Sequence, residues 1–490
     1  MEPSGLVAIA PSVVAVGEPF SVRVKVLGAV RPIPCRGQYN TLKPRLEGPF
    51  NRNVERRIHY LDHVLPEYAG TIRVEGNDGG EGPATLTFDG RDQGVFPGDR
   101  RPIRAFGPFR MWKAGVHFLR LVEESSGVVG LVNPIVALPA PPDERLYWGD
   151  PHWQTFFSDG IRCPEELYAF ARDEAFLDFG AIADHMEAIT DRQWDYFRAV
   201  TEDFYQPGRF VTLHGQEWTH HDPARGAPGH RNLYFRGREA PLIRSTDWDA
   251  NTLEKLWRKL DAIGLPALAI PHHTANRIMG VDWTQGWNPR YEKGVEIYSV
   301  WGSSECSVEA GNTRPIRTLG GEMPGRHVRD ALARGYRLGF WGGGDIHDGR
   351  PGDERHTAQP EVPGYGDLYS QGFTAVWAPA LTREMLFDAL AARRCYAATR
   401  RGLFAEWREG PEGRLGIRAA AAEGVAKAEL IVNGEKAGEA EPPPDGDNRV
   451  LEADWTVTLG RRDVAYVRLW TRTGEWLWLS PRWGGRGERG

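Results

Sequence analysis

The residues best suited to chemistry in this chain of 490 amino acids are its histidines and the acids beside them. Of fourteen histidines, eleven fall between His152 and His356, three precede them and none follows. The stretch W-G-D-P-H-W-Q-T-F-F-S-D-G, from Trp148 to Gly160, sets Asp150, His152, Gln154 and Asp159 within ten residues. The same mixture recurs at Asp184-His185, at Glu217 with His220 and His221 beyond, and at Asp345 with His347, and a histidine pair stands at His272-His273. Imidazole and carboxylate without thiolate form a donor set for divalent transition metals such as zinc, manganese or iron. Because carboxylates bridge ions, such a set suits a multinuclear hydrolytic site, in which a bridging hydroxide attacks in line. Asp345 or Asp184 is then the candidate to take or orient the proton of the nucleophile.

These residues need elements to hold them. To about Leu138 the chain alternates with period two: Phe20, Val22, Val24 and Val26 on one face, Ser21, Arg23 and Lys25 on the other. That rhythm predicts a β-sandwich over residues 1–142, closed by the break L-P-A-P-P. Over 143–400 strand and helix alternate. Helices are expected after Pro164, after the N-cap candidates Thr190, Thr252 and Thr382, and near Arg326. The strand-like runs between them are L-D-F-G-A-I-A, R-F-V-T-L, P-A-L-A-I, V-E-I-Y-S-V, L-G-F-W and T-A-V-W. This length and rhythm suit a (β/α) barrel. Residues 401–490 return to strands, with a hairpin at Asn433-Gly434, and predict a smaller β-sandwich.

Five of the expected strands end in candidate ligands, and in a barrel such ends share one rim. A single histidine at a strand end is more often a capping or surface group, and His214, His327 and His356 are read that way, or as neighbours of the ligands. Five coincident strand ends favour a metal site. Gly342 to Gly344 read as a tight strand exit, and Trp153, Trp218 and Trp301 as core residues near the site.

Composition narrows the partners. Lys and Arg number 60 against 66 Asp and Glu, a formal charge of −6, which argues against the basic footprint of a nucleic-acid protein. No apolar run reaches the length of a membrane span. The start M-E-P-S-G-L-V-A-I-A-P lacks a basic region leading into an apolar core, and the four cysteines (Cys35, Cys163, Cys306, Cys395) lie far apart. The expectation is a cytoplasmic protein with reduced thiols and a small, anionic substrate.

Taken in order, Y-W-G-D-P-H-W-Q-T-F-F-S-D-G, A-I-A-D-H, the Glu217 motif, G-H-R-N, I-P-H-H-T and G-G-G-D-I-H-D resemble the ligand motifs of the PHP (polymerase and histidinol phosphatase) superfamily. The resemblance covers roughly the middle half of the chain. It implies a distorted (β/α)7 TIM-like barrel, here between N- and C-terminal β-sandwich domains, with about two to three divalent ions. His152 would hold a first ion with Glu217 and Asp345. Glu217 would bridge to a second, held by His230 and His272, with His273 adjacent, and Arg231, beside His230, would neutralise a substrate oxyanion. Asp159, His185 and His347 would hold a third or share in the pair. Gln154 departs from the motif, which usually carries a second histidine there. The resemblance implies a metal-dependent hydrolase, a phosphoesterase before others. The alternatives are hydrolysis of another ester or an amide, or a decayed binding module.

Overall fold

The computed structural model describes residues 2–28, 65, 67–92, 101–160, 162–220, 228–318, 320–347, 349–353, 369–409 and 414–484. His221, His356 and Cys35 lie outside the described residues.

The chain is a mixed α/β protein with many sheets and few, short helices. In the first segment the alternating strand Phe20–Gly28 pairs with Pro3–Ile9 and Ile103–Met111. Its face of Phe20, Val22, Val24 and Val26 is buried with Ile72, Leu86, Phe88 and Leu121 in one apolar cluster. The other face is not simply solvated. Arg23 lies over the Phe176 ring and Lys25 over the Phe170 ring, so this face packs on the middle segment.

The helices of the middle segment begin where their caps predict. Thr190, Thr252 and Thr382 each accept a hydrogen bond from the backbone N–H three residues on, and Pro164 opens the helix Pro164–Ala169. His327 caps the short helix Val328–Ala333. The strands between them form three arcs rather than a ring. In the first, Arg145–Trp153 pairs parallel with Phe179–Ile182, which pairs parallel with Val211–Thr212. In the second, Arg231–Phe235 lies antiparallel between His214–Trp218 and Ala267–Pro271. In the third, Gly294–Ser299 is parallel to Gly339–Gly342. Among the described residues these arcs do not close into one hydrogen-bonded barrel of parallel strands, as the (β/α)7 expectation would have it. Two isolated parallel bridges, Trp153 to Ile346 and His185 to Glu217, tie the arcs together at the ends that carry the histidines.

The first arc continues past residue 400. Phe373–Ala378 lies antiparallel beside Arg145–Trp153, Cys395–Ala398 follows, and Trp476–Trp483, Val464–Thr471, Val425–Val432 and Glu435–Ala440 extend the same sheet to nine strands. The last segment therefore braces the middle one through backbone pairing. The Asn433-Gly434 hairpin joins Val425–Val432 to Glu435–Ala440, with both turn residues at positive φ. Among the described residues no helix is long and apolar enough to cross a membrane, and Cys163, Cys306 and Cys395 are unbridged.

Candidate metal centre

The ligand-bearing loops meet because the strands feeding them run in the same sense. Arg145–Trp153 carries Asp150 and His152, and Phe179–Ile182 is followed by Asp184 and His185. His214–Trp218 carries Glu217, Ala267–Pro271 leads into His272 and His273, and Gly339–Gly342 leads to Asp345 and His347. His230 arrives differently. Its strand runs antiparallel, with Arg231 opposite Trp218 and Pro271, so the residue before the strand reaches the same end. The parallel-strand reading had no place for that reversal.

Glu217 is the hub. Its Oε1 lies 2.8 Å from His230 Nδ1, 3.1 Å from His272 Nε2 and 3.4 Å from His185 Nδ1. Its Oε2 accepts a hydrogen bond from Gln154 Nε2 at 2.6 Å and lies 3.4 Å from His152 Nε2. Asp345 Oδ1 closes the other side, 3.3 Å from His152 Nε2. His273 Nε2 lies 3.2 Å from His230 Nδ1, and its Nδ1 lies 3.6 Å from Asp345 Oδ2. Asp159 Oδ2 is 3.1 Å from His347 Nε2 and 3.7 Å from His185 Nε2.

Among the described residues three groups result whose ligand atoms lie within 4.8 Å of one another: His152, Glu217 and His272; His230, His272 and His273; and Asp159, His185 and His347. The first two are buried. The third opens outward, with the side chains of Asp159 and His185 37% and 18% exposed. His220 is half-buried and joins none of the three.

Electrostatics follow from crowding. Burial alone would raise Glu217, but His185 and His272 hold its carboxyl well below the ordinary range. Burial would lower His152 and His185. The carboxylates Asp345 and Glu296 around the first, and Glu217 and Asp159 around the second, lift both well above the usual imidazole range instead. His230 and His273 lose to burial and to neighbouring imidazoles, and His273 falls to about 4. The cluster thus carries ionised acids, two imidazoles that favour a proton and two that refuse one. A bound cation would substitute for those protons. Among the described residues the buried Nδ1 of His272 has no hydrogen-bond partner. This donor set, all oxygen and imidazole nitrogen, fits divalent metal ions.

The backbone is bent to make this arrangement. His273 and Asp345 both adopt positive φ, 31° and 47°, which is rare outside glycine and costs about 1–3 kcal/mol each. The pairing register slips between Asp150 and Trp153, on the strand that carries His152, and again between Glu296 and Tyr298, on the strand that carries Glu296. Gly343 and Gly344 leave room for carboxylates: a Cβ on Gly344 would lie 2.4 Å from Asp150 Oδ2.

Three expectations change. Arg231 does not face the cluster: strand alternation turns it away from His230, and its buried guanidinium bonds Glu292 Oε1 through Nε at 2.8 Å and the Pro228 carbonyl through Nη1. Asp184 is tied to the opening loop. Its Oδ1 accepts from Thr155 N and Oγ1, both at 3.0 Å, and from Ser158 N at 3.2 Å, so it pins the loop that carries Gln154 and Asp159. Burial pushes it up to about 6. His214 and His327 are buried rather than superficial, the first 2.7 Å from Glu202 Oε1.

Trp153 and Trp218 are core residues, whereas Trp301 donates its Nε1–H to Asp345 Oδ2 at 2.5 Å. Asp150 accepts from the N–H groups of Gly344 and His152, and burial pushes it up to about 8. Glu296, buried and 2.9 Å from His152 Nδ1, went unnoticed in the sequence. Its only signal was an acid in the middle of the apolar run V-E-I-Y-S-V.

The family described as "Protein of unknown function (DUF3604)" matches residues 164–309. An uncharacterized protein of Chlamydia pneumoniae is 28% identical over 287 residues, which span 58% of this chain and 44% of that protein. One of Chlamydia muridarum is 25% identical over 400 residues, 75% of this chain and 62% of the relative. The chain thus spans from under half to about three fifths of the length of these relatives. Among solved structures, a two-domain protein from Bacteroides vulgatus, described as containing a predicted PHP-like metal-dependent phosphoesterase, is 16% identical. That match covers 70% of this chain and 89% of the other, at a TM-score of 0.36.

Proposed function

We propose that this protein is a metal-dependent hydrolase of the PHP type that cleaves a small phosphate ester. One observation carries the reading: Glu217, almost fully buried, sets its two carboxylate oxygens within 3.4 Å of four imidazoles that come from four separate stretches of the chain. Burying that much ionisable surface is costly unless the groups are paired or hold a cation. His152, Glu217 and Asp345 would hold one ion, Glu217 with His230, His272 and His273 a second, and Asp159, His185 and His347 a third. Zinc, manganese and iron suit these donors.

When bound, such ions supply positive charge that acidifies water and neutralises phosphoryl oxygens. The protein's own residues do the rest. Glu217 joins the first two groups, so its charge serves both. Asp345, fixed by Trp301 Nε1–H, keeps its other oxygen toward His152. Gln154 holds Glu217 from one side and accepts from Ser158 Oγ at 2.9 Å, which ties the hub to the opening loop. The exposed edge at Asp159 and His185 is where an anionic substrate would enter. Residues 143–400 would form the catalytic unit, with 1–142 and 401–490 as its β flanks.

Elemental analysis of the purified protein, with a panel of phosphomonoesters and diesters assayed before and after chelation, tests the reading. The expected result is about two or more transition-metal ions per chain, the number the bridging arrangement needs, with hydrolysis lost on chelation and regained on adding metal. Full hydrolysis by metal-free protein refutes it. Metal-dependent cleavage confined to carboxylic esters or amides would keep the metal and replace the substrate class.

A further inference from the structure

His152 can serve an ion at Nε2 only if its proton sits on Nδ1, and neutral imidazole in water does not choose firmly between the two. In this fold the choice is imposed from behind the ring. Glu296 Oε2 lies 2.9 Å from His152 Nδ1, on the side opposite Glu217 and Asp345, which lie 3.4 and 3.3 Å from Nε2. We infer that Glu296 is a positioning residue that holds the Nδ1–H tautomer of His152, so that the Nε2 lone pair faces the space between Glu217 and Asp345. The inference rests on the metal-site reading above.

Three features set Glu296 apart from an ordinary core contact. It is 3% exposed on the strand Gly294–Ser299, between Val295 and Ile297, which are both fully buried. An acid there is expensive unless a partner repays it, and His152 is the one side chain to which the described residues show it hydrogen-bonded. Its other oxygen, Oε1, is buried without a hydrogen-bond partner among the described residues.

Room for it has also been made at a specific place. A Cβ on Gly343 would lie 2.0 Å from Glu296 Oε2 and 2.9 Å from His152 Cβ, so only glycine lets this pair meet. Finally, the backbone of His152 is anchored separately: its N–H donates to Asp150 Oδ1 at 3.1 Å and its carbonyl accepts from Asp345 N at 2.8 Å. With the main chain already fixed, what Glu296 adds is the orientation and tautomer of the ring. Carboxylates behind ligating imidazoles act in this way.

The variants Glu296→Gln, Glu296→Asp and Glu296→Leu separate reach from charge. An amide oxygen accepts the Nδ1–H at the same reach without charge, whereas aspartate keeps the charge but withdraws by one methylene. Chelator-stripped full-length protein is titrated with zinc against a competing chelator, with urea unfolding of the metal-free forms as the check on folding. For Leu and Asp the expected result is zinc binding weaker by ~10–100-fold at one ion, with Gln within ~threefold of wild type. Wild-type affinity in the Leu variant overturns the inference, as does affinity kept by Asp and lost by Gln. If the Leu variant fails to fold, the Asp and Gln pair decides alone. Zinc uptake by wild type and all three variants alike sinks the role of Glu296 and leaves the metal reading standing. No uptake by wild type sinks both.

Discussion

Replacing Glu217 by glutamine changes one oxygen to an NH2 group and removes one charge between His152 on one side and His230 and His272 on the other. The magnitude follows from position. A unit charge ~4 Å from another, at the effective dielectric of ~20 that suits such sites, is worth ~4 kcal/mol, and a divalent ion doubles it. The amide dipole and relaxation recover part of this. If half is lost, the penalty is ~4 kcal/mol, or about three orders of magnitude in Kd. Because Oε1 faces His230 and His272 while Oε2 faces His152 and Gln154, the loss must appear at both buried groups and not at one. Competition titration with a zinc chelator reads the affinities, and elemental analysis the stoichiometry. Urea unfolding of the metal-free variant checks that the fold persists. Binding within tenfold of wild type, or a loss confined to one ion, would refute the placement of Glu217 as the shared carboxylate.

Other expectations follow from individual contacts. Arg231→Met breaks a buried ion pair and should destabilise the protein by ~3–5 kcal/mol in urea unfolding, whereas the Arg231→Met/Glu292→Gln double variant should cost less than the sum of the two single ones; a normal fold with a raised KM would instead restore Arg231 to the substrate. Gln154→His puts a stronger nitrogen donor beside Glu217 and should tighten zinc at that group by about tenfold; unchanged affinity and stoichiometry would place position 154 outside the site. His327, 8% exposed with Glu322 3.7 Å and Asp330 3.5 Å from its ring nitrogens, is raised to about 9 because pairing with those acids outweighs burial. Its folded value lies above the unfolded ~6.5, so its contribution is complete below pH ~6.5 and is lost as pH rises through about 9. Allowing for screening by the more exposed Asp330, that contribution is about 2 kcal/mol, and His327→Gln should flatten the loss of urea stability between pH ~6.5 and ~9.

Much was legible in the chain itself. Caps and periodicity are local physics, so Thr190, Thr252, Thr382, the Asn433-Gly434 turn and the alternating valines of Phe20–Gly28 announce their elements without reference to anything distant. The concentration of imidazole and carboxylate at strand ends was equally plain, because residue type and position along the strand are properties of sequence. Tertiary structure alone decided how those ends meet. Whether strands close a ring or split into arcs depends on pairing between segments far apart in the chain, and the antiparallel reversal at Arg231–Phe235 leaves no mark in a hydrophobic pattern. That reversal carried His230 into the cluster and turned Arg231 out toward Glu292. Glu296 shows the same limit: its acid is visible in V-E-I-Y-S-V, but its partner lies 144 residues away. Such a partner is chosen by sheet register and by the missing side chain of Gly343, and a one-residue shift in either would have faced the carboxylate elsewhere.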